Sequence, residues 1–67
     1  MGYAFVTTTV NGVILKIDFG DQIKEKDLGN IIPFLTKAKK EYFWKLLFVN
    51  NYNDAQGNVR FQYIFER

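Results

Sequence analysis

Tyr42-Phe43-Trp44-Lys45-Leu46-Leu47-Phe48-Val49 is the stretch on which the fold turns, because seven of its eight residues are apolar and its spacing fits two readings. A helix continuing through Tyr42, Leu46 and Val49 satisfies the 3.6 period, whereas the density of aromatics favours a strand. The residues C-terminal to it favour the strand and leave the continued helix as the alternative. Asp54-Ala55-Gln56-Gly57 has the composition of a type I turn with Gly57 in the left-handed position, closing a three-residue hairpin loop. Beyond it, Val59 to Glu66 alternates in period two, with Val59, Phe61, Tyr63 and Phe65 pointing inward. Taken as a strand, the first stretch puts Phe43, Lys45, Leu47 and Val49 on one face and Tyr42, Trp44, Leu46 and Phe48 on the other. Both faces then want burial. Asn50-Asn51-Tyr52-Asn53-Asp54 reads as the polar tip of the hairpin, its Asn and Asp residues serving turn geometry.

Toward the N-terminus, Asn30 is a suitable helix N-cap, Pro33 falls in the first turn where its missing N–H costs nothing, and Lys37, Lys39 and Lys40 crowd the far end. A helix is expected from about Ile31 to Glu41, with Ile31, Phe34, Leu35, Ala38 and Tyr42 as its apolar stripe. Gly20 to Gly29 is charged and reads as a loop. Before it, Val10-Asn11-Gly12-Val13 suggests a two-residue type I′ hairpin. That turn pairs Val10 with Val13, Thr8 with Leu15, Val6 with Ile17 and Ala4 with Phe19 on a core face, and leaves Tyr3, Phe5, Thr7, Thr9, Ile14, Lys16 and Asp18 on the other. The expected fold is α+β, in the order β-β-α-β-β: a four-stranded antiparallel sheet with one helix on one face, forming a single domain over residues 1–67.

Sixty-seven residues bury only about 60% of the surface of the unfolded chain, so the core is small. Apolar residues make up 48% and charged residues 24%, too apolar for a disordered tail and too interrupted for a membrane span. Cysteine, histidine and serine are absent, which removes disulfides, Cys/His metal sites and Ser or Cys nucleophiles with a His base. Net charge is +2, with the basic excess between residues 24 and 45. That is modest for a nucleic-acid module. The opening residues carry no basic n-region, so the expected setting is cytoplasmic. Phe, Tyr, Ile, Asn and Lys supply 30 of the 67 residues, a bias that fits an AT-rich genome such as that of a phage or plasmid.

Catalysis has little to stand on. Asp18-Phe19-Gly20-Asp21 shares letters with a kinase magnesium motif whose other parts a chain of this length cannot hold. Asp18, Asp21, Glu25 and Asp27 lack calcium-loop spacing and read as a solvated turn. No enzyme activity, metal, cofactor or small-molecule substrate is expected. The two-faced stretch at 42–49 is the informative feature, since one helix covers one sheet face only. The reading it favours is a non-catalytic binding protein that associates with itself or another protein, homodimeric through an apolar sheet face or edge, of the kind mobile elements use against host proteins. The expected contact residues are Trp44, Phe48, Phe5 and Ile64. The alternative is single-stranded nucleic-acid binding, with Phe5, Lys16, Lys45 and Arg60 stacking bases and tracking phosphates.

Overall fold

The computed structural model describes residues 2–67, a single antiparallel sheet with one helix, an α+β fold. The strands are β1 (Tyr3–Thr9), β2 (Ile14–Asp18), β3 (Ile23–Lys24), β4 (Lys45–Asn53) and β5 (Val59–Glu66), and the helix α1 (Ile31–Lys37) lies between β3 and β4. Five strands, not four, form the sheet in the order β3-β2-β1-β5-β4. The addition is the two-residue β3, which pairs Lys24 with Ile17 and Ile23 with Asp18. It comes from the charged segment read as loop, which is too short and too polar to carry a strand pattern.

Both long hairpins use one turn. Gly57 N–H donates to Asp54 O and Asp54 N–H to Asn58 O, as expected for the second hairpin. The first repeats this with Gly12 N–H to Thr9 O and Thr9 N–H to Val13 O, in place of the type I′ turn. Only Gly12 of the pair adopts positive φ, at 86°. The physical reason is tertiary: Ile31 N–H donates to Gly12 O at 2.8 Å and Asn30 Nδ2 to Asn11 O at 3.3 Å, so the segment leading into α1 holds the turn. Thr8 consequently faces Ile14, and Leu15 becomes the extra residue of a bulge before the expected register resumes at Thr7–Lys16 and Val6–Ile17. Ile14 is buried while Leu15, Val10 and Val13 are exposed, a correction to the expected core face.

Asn30 caps α1 as expected, its side-chain oxygen accepting Ile32 N–H at 3.0 Å. The helical path runs one residue past the expected end but changes character: Ala38–Tyr42 is a wider π turn in which Ala38 O accepts the Phe43 N–H, and then also that of Trp44. Phe43 ends it in the left-handed region at φ 57°. Strand pairing therefore starts at Lys45, later than Tyr42, and runs to Asn53, so Asn50 to Asn53 belong to a strand and not to a hairpin tip.

Ala4, Val6, Ile14 and Ile17 of the sheet, with Phe65, bury against Ile31 and Ala38. Phe34, Leu35 and Trp44 close the edges of this core, half-buried. At about 25 cal/mol per Å², a core of so few side chains leaves a domain of this length only marginally stable.

Candidate functional site: the open β4 edge and the helix-free face

The two edges of the sheet are unlike. Along the outer side of β2, β3 pairs with Ile17 and Asp18, while Gly29 O accepts Ile14 N–H at 2.9 Å and Val13 bridges Asn30. That edge is closed over most of its length. The other edge is β4, nine residues long, with every residue exposed and Leu46, Leu47, Phe48 and Val49 in its first half. Lys45 is its single charge, and it contains no proline. Proteins usually blunt such an edge with charges, prolines or a covering segment, because its unpaired N–H and C=O groups template a further strand.

A bulge in β4 fixes which side chain goes where. Lys45 and Leu46 pair with Glu66 and Phe65, then the register shifts so that Phe48 pairs with Ile64 and Val49 with Tyr63. Leu46 and Phe48, which strict alternation places on one face, thereby lie on opposite faces. Phe48 joins Ile64 and Phe5 in one cross-strand row on the face without a helix, since Phe5 pairs with Ile64 directly. Three of the four expected contact residues are brought together there: Phe48 is exposed, Phe5 is half-buried and Ile64 is covered by its neighbours.

Trp44 is not with them. It packs toward the helix, its ring 5.7 Å from those of Phe19 and Phe65 and 6.1 Å from Phe34, with the Arg67 guanidinium 5.9 Å from its centre. Phe43 is instead the outward aromatic, 83% exposed, although strict alternation sets it on an inward face. A residue in the left-handed region leaves no periodic trace, and the strand pattern runs straight through it.

Phe5, Lys16, Lys45 and Arg60 also lie on the helix-free face, as their pairings show. Their charges are partly answered: Arg60 Nη2 lies 3.3 Å from Asp54 Oδ2, Lys45 sits opposite Glu66, and Asp18 flanks Phe5. On the same face Thr7 is buried, and its hydroxyl has no hydrogen-bond partner.

Two hollows complete the surface. An open, mainly apolar groove of about 450 Å³ between α1 and the start of β4 is lined by Leu35, Trp44, Leu46 and Phe65, with Lys39 and Lys45 at its rim. It continues the apolar surface of the β4 edge onto the helix side. A second, more polar cleft of about 360 Å³ lies near the closed edge, between Phe19, Phe34 and Tyr42, with Lys24 and Lys37 each 5.7 Å from a ring centre in its wall. Among the described residues no three acidic, histidine or cysteine side chains converge as metal ligands, and no helix is long and apolar enough to cross a membrane. No family model, curated protein or solved structure matches the chain.

Proposed function

We propose that this chain is a non-catalytic association protein that pairs with a second copy of itself through the exposed β4 edge and the apolar row beside it. The observation that supports this most is the asymmetry of the edges: one is occupied by β3 and the segment before α1, the other is a nine-residue, nearly uncharged apolar strand. Pairing that edge satisfies its free backbone groups and removes Phe48 and Val49 from water in one step. Nucleic-acid binding on the helix-free face is weaker, because Arg60 is engaged by Asp54 and two further carboxylates stand among the basic groups.

The experiment is light scattering behind a sizing column at several salt concentrations, with a labelled oligonucleotide titrated in parallel. An apolar dimer persists as salt rises and leaves the oligonucleotide free. A monomeric mass at all concentrations, with oligonucleotide binding that weakens steeply in salt through counterion release, contradicts the reading.

A further inference from the structure

Building on the self-association reading, we infer that two copies join β4 to β4 antiparallel about a two-fold axis through Asn50, making one continuous sheet with both helices on the same side. Symmetry restricts the register. In an antiparallel pair, residues directly opposite share a face. A two-fold axis normal to the sheet keeps each face on its own side, so a residue must sit opposite its own copy at the centre.

The bulge narrows the choice further. Alternation is regular only from Phe48 to Asn53, where β4 pairs without interruption from Ile64 back to Val59. An axis through Val49 sets both Asn51 and Tyr52 opposite the bulge residues Leu47 and Leu46, and an axis through Asn51 moves Phe48 beyond the strand of the second copy, whereas an axis through Asn50 leaves only the terminal Asn53 opposite Leu47. With the axis at Asn50, Phe48 faces Tyr52 of the second copy and Tyr52 faces its Phe48. Both lie on the helix-free face, because they pair with Ile64 and Arg60. The row Phe5, Ile64, Phe48 then extends across the junction, and Val49 meets Asn51 on the helix side.

Charge agrees with this arrangement. The first residue of β4 is Lys45 and the residue after its last is Asp54, so antiparallel pairing sets Lys45 of each strand near Asp54 of the other, a carboxylate that Arg60 of its own chain already answers in part. Area sets the strength. Phe48 and Tyr52 are 52% and 42% exposed, so with about 200 Å² per ring residue the aromatic pairs offer about 380 Å² over two copies. Adding the backbone strip and Val49 still leaves the contact below the roughly 1,200 Å² of a standard interface, which makes the dimer one that dissociates on dilution.

The absence of cysteine gives a clean test. Single variants Val49→Cys, Asn50→Cys and Asn51→Cys are oxidised mildly in the full chain, alongside the mass of the unmodified protein by light scattering. Opposed residues have Cα atoms about 5 Å apart, within disulfide reach, while one step off the axis a residue and its copy are about 8 Å apart, beyond it. Asn50→Cys is expected to form the covalent dimer at least about tenfold faster than its two neighbours. A mixture of Phe48→Cys with Tyr52→Cys gives a second readout, expected to form the mixed dimer over either homodimer. Fastest coupling at position 49 or 51 overturns the register but leaves self-association standing. A dimeric mass with no coupling at any of the three positions overturns the β4 junction, and a monomer up to millimolar concentration overturns both readings.

Discussion

Gly12 and Gly57 close the same turn at φ 86° and 83°, yet only one of them is crowded. A Cβ at Gly57 meets nothing within 4 Å, whereas at Gly12 it lies 3.1 Å from Asn30 Oδ1 and 3.1 Å from Ile31 Cγ2. Gly57→Ala is therefore expected to cost about 1 kcal/mol from the left-handed backbone alone. Gly12→Ala is expected to cost roughly 1 kcal/mol more, because the N-cap of α1 has to give way. Denaturant midpoints check the pair; equal losses would show that the Asn30 contact adds nothing. Phe43 presents the opposite case, a bulky residue at φ 57° whose ring is left in water. Relief of its backbone strain outweighs the added freedom of the unfolded chain, so Phe43→Gly is expected to stabilise the fold by about 0.5 kcal/mol. A loss of stability would mean that the ring contributes packing.

Asp54 is a residue whose charge the fold uses. It accepts the backbone N–H of Asn58 and of Gln56, both at 2.9 Å, and lies 3.3 Å from Arg60. The Asn58 backbone bond foremost, joined by those from Gln56 and the Asn58 side chain and by the Arg60 charge, holds its carboxyl below the ordinary carboxylate range and outweighs desolvation, the second-strongest influence, which raises it. Because the folded value is the lower one, the folded state binds fewer protons than the unfolded chain as acid is added. The contribution is thus complete above the unfolded pKa of about 3.9 and is lost as pH falls through the folded value. Asp54→Asn is expected to flatten the stability profile below about pH 4. Urea midpoints across pH 2 to 6 test this, and an unchanged slope in the variant would contradict it.

Among the elements, β4 and the turn before it are the least legible in sequence. The existence of β4 follows from the aromatic run and the turn at Asp54, and β5, the helix start at Asn30 and the inward Phe61, Tyr63 and Phe65 are readable for the same reason: period and turn chemistry are local. Val59, expected inward with them, is exposed, because it lies at the end of β5 beyond the reach of the helix. Bulges are not local signals. One extra residue at Leu15 and another between Leu46 and Phe48 change which side chains face the helix, and nothing in composition marks them. The consequence is largest at Trp44, which the alternating pattern sets beside Phe48 and which the π turn and the Phe43 backbone swing into the aromatic cluster under α1. Trp44→Ala is accordingly expected to cost about 3 kcal/mol of folding stability, a core truncation and not an interface change. Thermal unfolding reads this directly; a variant as stable as the parent would place the indole outside the core.

At the scale of the whole molecule, surface and core are out of proportion. The accessible area is 4823 Å², against about 4,400 Å² for a compact monomer of this mass. Large apolar side chains are exposed along β4, at Leu46, Leu47, Phe48, Val49 and Tyr52, and at Phe43, with none of the described residues covering them. The proposed self-association through the open edge would cover that surface and add to the stability of a domain with so small a core. Sedimentation equilibrium of the full chain from micromolar to millimolar concentration, beside Phe48→Lys, tests self-association most directly. The mass is expected to rise from one chain to two as concentration increases, and the variant to remain folded with its dimer at least about 30-fold weaker, as for loss of an interface aromatic worth about 2 kcal/mol. A mass of 7.9 kDa for the unmodified chain throughout that range would contradict it.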